Sequence, residues 1–124
     1  MVRRNIGYTM KINSQLLLFI CLTNLNGQVD YTSQIQTIFS SSCTDCHGNS
    51  GGLNLTSYSN VMAGGDSDAV IVANDHANSL LWQKVSNFDM PPSYSGFSTL
   101  SATQINLMAT WIDEGALEYP AISQ

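Results

Sequence analysis

The feature that most constrains this chain is the pentapeptide Cys43-Thr44-Asp45-Cys46-His47. Two cysteines separated by two residues, with a histidine directly after the second, are typical of covalent c-type haem attachment. The spacing suits the chemistry because each thiol adds to one of two neighbouring vinyl groups of the porphyrin, and the next residue is then carried beneath the iron. The motif therefore predicts Cys43 and Cys46 as the haem thioethers and His47 as the proximal iron ligand.

Three other interpretations of the pentapeptide are disfavoured. A zinc site needs four ligands, and beyond Cys43, Cys46 and His47 the chain after residue 27 offers only His76 as a further sulfur or nitrogen ligand. A thioredoxin-like dithiol is expected inside a strand-helix-strand pattern. A structural disulfide across so short a loop would stabilise a domain only slightly.

Residues 1–27 have the composition of an export signal. Arg3, Arg4 and Lys11 form the positive region, residues 16–22 are an apolar run, and a polar stretch ending in glycine follows. The apolar run is too short to cross a bilayer.

Two details qualify this signal. Translation beginning at Met10 would still leave an ordinary export signal, and lipid attachment through Cys21 is disfavoured because the bulky Ile20 precedes it. We therefore predict a signal peptide over 1–27 and an exported domain over 28–124, located in the periplasm or outside the cell.

Removal of the signal changes the charge balance. Lys84 alone then stands against nine acidic residues, a formal charge of −8. Nucleic acid and anionic lipid are poor partners for such a chain, so we expect redox partner proteins with a basic docking surface. The haem propionates would meet Lys84, backbone amides, Trp, Tyr or Asn donors, or solvent.

The predicted mature chain is small for a self-sufficient core. It has 97 residues, from 28 to 124, and chains of this size bury little apolar surface for their length. A covalently held porphyrin would complete the core, so we expect the chain without haem to be largely unfolded.

Apolar spacing and capping residues predict four helices. They run from Asp30 to about Ser42, from Thr56 or Ser57 to about Ala63, from Asn78 or Ser79 past Val85, and from Ser101 to Gly115. Ser101 with Gln104 has the pattern of a capping box. The loop 64–68 contains two aspartates, and a solvated turn is favoured there over a calcium loop.

Met90-Pro91-Pro92 is the second informative segment. Two prolines stiffen the loop, and a rigid loop is what holds a thioether on iron. Met62 and Met108 lie on apolar helix faces, where a packing role is expected. Met90 is therefore the predicted distal iron ligand, with His76 or an open, water-bound position as the alternatives.

In combination these segments resemble the class I c-type cytochromes, and more narrowly the Planctomycete-type cytochrome c domain. The resemblance is carried by Phe39 to Gly48 (F-S-S-S-C-T-D-C-H-G), Gly51 to Leu55 (G-G-L-N-L), Ser79-Leu80-Leu81 with Lys84-Val85, Met90-Pro91-Pro92, and Leu100-Ser101 through Trp111-Ile112 to Gly115-Ala116. The turn Asn74-Asp75-His76 departs from the family, which often has Pro-Gly there.

The resemblance implies an all-α, small monohaem cytochrome c fold, with N- and C-terminal helices packed around one covalent haem c and its iron. It also implies ligation by His47 and Met90 and electron transfer. Because both ligand positions on the iron would then be filled, we expect an electron-transfer protein and not an enzyme. The alternative is a haem-based small-ligand sensor or enzyme domain with an open or displaceable sixth ligand. A module within a larger electron-transfer complex is a third interpretation.

Overall fold

The computed structural model describes residues 27–121, so the predicted signal lies outside the described residues except for Gly27. This part of the chain is helical and contains no β-strand. The α-helices are α1 (Gln36–Ser42), α2 (Tyr58–Ala63), α3 (Leu80–Ser86) and α4 (Ala102–Asp113), with a π-helical turn at Tyr31–Ile35 and 3₁₀ turns at Ser50–Gly52, His76–Asn78 and Ser93–Ser95. The all-α prediction is confirmed for this range. None of these helices is long and apolar enough to cross a membrane.

Three helical segments begin where a side chain replaces the missing backbone partner of the first turn. Asp30, Ser57 and Ser101 each accept a hydrogen bond from the backbone N–H three residues on, at 2.8, 3.3 and 3.2 Å. Gln104 Oε1 accepts from the Ser101 N–H at 2.9 Å, which completes the predicted capping box. The starts of these helices thus follow from local sequence.

The start of α3 has a different cause. Ser79 is fully buried, and its Oγ accepts from the Val72 N–H and donates to the Asp75 carbonyl, both at 2.9 Å. The hydroxyl therefore ties the chain before α3 into a closed turn instead of capping the helix. This turn holds the segment Asn74-Asp75-His76, where the sequence departs from the family pattern.

An aromatic cluster, which we call the aromatic core, joins the two ends of the chain. The Tyr31 ring lies 5.2 Å from the Tyr58 ring, 5.4 Å from the Trp111 ring and 6.3 Å from the Phe39 ring, measured between centroids. Tyr31, Phe39 and Trp111 are buried. Tyr31 of the N-terminal turn thereby contacts α1, α2 and α4.

Hydrogen bonds close the same end of the molecule. Glu114, just after α4, accepts from the Val29 N–H at 2.8 Å through Oε2. Trp111 Nε1 donates to the Leu117 carbonyl, also at 2.8 Å. The N-terminal segment and the C-terminal helix are consequently held together by polar as well as apolar contacts.

Candidate functional site

The Cys-rich pentapeptide continues directly from the last turn of α1. The Cys43 N–H donates to the Phe39 carbonyl at 2.8 Å, and the His47 N–H donates to the Cys43 carbonyl at 2.8 Å. Because Phe39 is fully buried, the first cysteine is anchored to the core. The motif is therefore a folded turn with a fixed origin, in which Cys43 is partly buried and Cys46 is exposed.

The imidazole of His47 is oriented by the turn that follows it. Its Nδ1 lies 2.9 Å from the Ser50 carbonyl oxygen. A carbonyl oxygen only accepts hydrogen bonds, so Nδ1 carries the hydrogen, and in the neutral ring Nε2 keeps the lone pair that a metal needs. The His47 carbonyl accepts in turn from the Leu55 N–H at 2.8 Å, which fixes this backbone as well.

Two neighbouring cavities lie beside the motif, with volumes of about 200 and 270 Å³. Both are lined by Cys43, His47, Ser50 and Met90, so we treat them as one cleft. Cys46 lines only the second cavity. The structure thus brings together the four side chains that the sequence predicts for haem attachment and iron ligation.

The first cavity, which we call the leucine cavity, has mostly apolar walls. Its apolar lining residues are Leu53, Leu55, Val70, Leu80, Leu81 and Val85. They come from the segment after the motif, from the stretch between α2 and α3 and from α3 itself. Such walls suit the apolar faces of a porphyrin, because burying them there removes apolar surface from water.

The second cavity, which we call the loop cavity, is bordered by the segment that carries Met90. Pro91, Pro92, Tyr94 and Phe97 line it together with the cysteine motif. Met90 is held at the start of this segment because its N–H donates to the Lys84 carbonyl at 3.1 Å. The thioether therefore belongs to a loop whose backbone is fastened to the last turns of α3.

Two glycine-rich turns close the leucine cavity. The Asp66 N–H donates to the Gly51 carbonyl at 2.9 Å. Gly52 has a φ of +65°, and a Cβ at this position would overlap the Asp66 carboxyl group. Glycine thus adopts this φ without strain and leaves room for the Asp66 side chain, which lies on the cavity wall.

Burial perturbs one of the two thiols. Desolvation, together with the neighbouring Cys46, raises the pKa of Cys43 from 9.0 to about 11. Cys43 is therefore a neutral thiol at neutral pH, whereas reactive dithiols depend on a thiolate of lowered pKa. This environment disfavours the thioredoxin-like interpretation of the motif.

His76, the alternative iron ligand, lies outside the linings of both cavities. Its Nδ1 is 2.8 Å from Asp113 Oδ2, and its ring meets Trp82 edge-on with centroids 4.5 Å apart. The hydrogen bonds from His76 lower the pKa of Asp113. His76 thus connects the turn before α3 to α4.

A zinc-like cluster is not formed in this fold. Within residues 27–121, no group of three or more His, Cys, Asp and Glu side chains is arranged to hold a metal ion. A haem needs fewer protein ligands, because the porphyrin itself supplies four nitrogen ligands and the protein adds two thiols for attachment and the remaining iron ligands. The cleft offers groups of these kinds in Cys43, Cys46, His47 and Met90, and its apolar walls suit the macrocycle.

Sequence reasoning missed several lining groups. It did not assign the acceptor for His47, which is the Ser50 carbonyl, and it treated Asp66 as part of a solvated turn. It also assigned no role to residues 93–98. Tyr94 and Phe97 are large aromatic residues in that otherwise small and polar stretch. This contrast could have indicated that they line a cavity.

One comparison with known proteins supports the haem interpretation of this site. A family model described as Planctomycete cytochrome C matches residues 43–94, from the first motif cysteine past Met90. Searches of curated proteins and of solved structures gave no match. The match supports a cytochrome c-type domain, a class that implies haem c with its iron and suggests haem-based electron transfer.

Proposed function

We propose that the protein is an exported carrier of single electrons, with one haem attached through Cys43 and Cys46 and its iron ligated by His47 and Met90. The observation that carries the proposal is the presence of Cys43, His47 and Met90 on the walls of both cavities, with Cys46 on the loop cavity. When bound, the haem would supply reversible one-electron iron chemistry.

The side chains of the cleft have separate tasks in this proposal. The hydrogen bond from Nδ1 to the Ser50 carbonyl orients His47 and increases the basicity of the ring. The Met90 thioether raises the reduction potential relative to a second histidine. The leucine walls exclude water. If His47 and Met90 both hold the iron, oxygen and peroxide would find no open position on it, so electron transfer is favoured over catalysis.

The location and the partner follow from charge and composition. Residues 1–27 support export, and the remaining chain carries a formal charge of −8. Asp45 and Asp89 are exposed and adjoin residues of the loop cavity, and Tyr94 on its wall is 90% exposed. We infer a redox partner protein with basic residues around its docking surface.

The decisive experiment compares optical spectra of the oxidised and reduced protein with those of Met90→Ala. The full chain is produced in a host that attaches c-type haem, and Met62→Ala serves as the control. Met62 packs against the core from α2 and lies outside the linings of both cavities. We expect low-spin haem with a weak long-wavelength sulfur-to-iron band that Met90→Ala abolishes and Met62→Ala retains.

Other outcomes would contradict specific parts of the proposal. A band unchanged by Met90→Ala would reject Met90 as a ligand. High-spin iron that binds carbon monoxide rapidly in the wild type would support the sensor or enzyme alternative. The intact mass tests the remaining parts, because the proposal requires cleavage after Gly27 and the addition of one haem.

A further inference from the structure

The charged side chains of the cleft are confined to one end of it. Lys84 and Asp66 line the leucine cavity, whereas the described residues that line the loop cavity include no Lys, Arg, Asp or Glu. Within residues 27–121, Lys84 is the sole Lys or Arg. A single cation therefore borders the site.

We propose that Lys84 pairs with a propionate of the bound haem, an inference that rests on the proposed function because it requires haem in the cleft. A haem brings two carboxylates into a cavity whose walls are mainly apolar. A carboxylate loses hydration there, and an adjacent cation compensates for that loss. Lys84 is the one ammonium group placed to do so.

The present partner of Lys84 holds it weakly. Lys84 Nζ lies 3.4 Å from Asp89 Oδ2, and the two side chains are 48% and 54% exposed. Charge-assisted hydrogen bonds are usually about 2.7–2.9 Å long, and pairs this exposed contribute little to stability. The ammonium group can therefore leave Asp89 without disturbing the fold.

The backbone of Lys84 is fixed, whereas its side chain is about half exposed. Lys84 lies in the last turns of α3, and its carbonyl accepts from the N–H groups of Asp89 and Met90 at 3.0 and 3.1 Å. The same residue thus anchors the loop of the predicted distal ligand and lines the leucine cavity.

Asp66 supplies a matched control of opposite charge. It lines the same cavity, and its position is set by the backbone hydrogen bond to Gly51. A cation near the haem stabilises the ferrous state, because reduction adds a negative charge to the centre, and an anion has the opposite effect. Removing Lys84 or Asp66 should therefore shift the reduction potential in opposite directions.

The test measures the reduction potential of the haem-loaded protein and of three variants at one pH and ionic strength. For Lys84→Gln we expect the ratio of ferric to ferrous haem at a fixed applied potential to rise about three- to tenfold. This corresponds to a reduction potential lowered by about 28–59 mV, at 59 mV per tenfold change. Lys84→Arg should keep the potential closer to wild type than to Lys84→Gln. Asp66→Asn should raise it.

A structure of the haem-loaded protein provides the second measurement. Lys84 Nζ is expected within about 4 Å of a propionate oxygen, the usual limit for an ion pair. A wild-type potential in Lys84→Gln, failure of Lys84→Arg to restore the potential, or Nζ still on Asp89 would overturn the inference. If covalent haem and the sulfur-to-iron band are present in that protein, the proposed function stands; a wild type without haem overturns both.

Discussion

The aromatic core and the cleft differ in how completely their side chains are packed and hydrogen-bonded by other parts of the chain. In the aromatic core, the polar tips of Tyr31, Tyr58 and Trp111 each donate a hydrogen bond to another group of the chain, at 2.6 to 2.8 Å. Trp111 is 1% exposed and Phe39 is fully buried. This region needs nothing further to be packed and hydrogen-bonded.

The side chains of the cleft are packed less completely. Its two cavities, of about 200 and 270 Å³, are bordered by apolar walls whose side chains lack packing partners on one side. Two thiols, an imidazole and a thioether lie on those walls. One half of the domain thus packs residues 29–31 against residues 111–114, while the other half offers the cleft that we propose as the haem site.

The largest expected effect comes from removing the attachment of that group. In the double variant Cys43→Ser and Cys46→Ser, we expect no covalent haem and a chain that is largely unfolded, because a domain of this size is marginal without its central group. Far-ultraviolet circular dichroism during heating is the measurement. A cooperative transition close to that of the haem-loaded protein would show instead that the aromatic core suffices alone.

The second prediction tests the aromatic core directly. Trp111→Ala in the haem-loaded protein should lower the free energy of unfolding by about 3–5 kcal/mol, because it removes a buried indole and its hydrogen bond to Leu117. Denaturant titration provides the value, and the sulfur-to-iron band should persist before unfolding begins. If the aromatic core and the cleft are distinct, Trp111→Ala will lower the free energy of unfolding without changing the sulfur-to-iron band.

An exposed aromatic residue serves as the control for this substitution. Tyr94 is 90% exposed on the wall of the loop cavity. Tyr94→Ala should change the free energy of unfolding by no more than about 0.5 kcal/mol. A loss as large as that of Trp111→Ala would mean that the loop, and not only the aromatic core, holds the fold together.

The last prediction concerns the pair His76 and Asp113, which connects the turn before α3 to α4. Hydrogen bonds from His76 lower the pKa of Asp113 below its ordinary value of 3.8. The unfolded chain therefore binds more protons in this range, and the stabilisation is present above pH 3.8 and lost as the pH falls through the lower folded pKa. Its size should be under about 1 kcal/mol, since the pair is largely solvated.

Acid unfolding measured on Asp113→Asn checks this contribution. The variant should lose stability at neutral pH and show a flatter decline below pH 3.8 than the wild type. Asp68→Asn is the control, because Asp68 is exposed and asparagine also tolerates its positive φ of 66°. An equally flattened decline in the control would remove the special role of Asp113.

The elements predicted from sequence are those that depend on close neighbours along the chain. The helix starts at Asp30, Ser57 and Ser101 are confirmed. They could be predicted because a capping side chain reaches only three residues ahead. The haem motif is equally local, since its spacing reflects one porphyrin edge. The roles of Cys43, Cys46, His47 and Met90 remain predictions, although all four lie on one cleft.

The elements that sequence reasoning left out depend on distant partners. His76 pairs with Asp113 across 37 residues, so the turn at residues 74–76 was expected from the sequence but its partner on α4 was not. Asp66 lies on the cavity wall, and its N–H donates to the Gly51 carbonyl of another glycine-rich turn. Such contacts have no periodic signal in the chain.

The sequence by itself determined the attachment motif, the helix starts and the acidic balance, because covalent spacing, capping and charge are properties of short segments or of composition. Tertiary structure decided which chain ends meet in the aromatic core and which side chains share the cleft. It also decided that Lys84 borders the leucine cavity while His76 lies elsewhere. These outcomes depend on which helix faces can be buried together, a choice made by the packed chain as a whole.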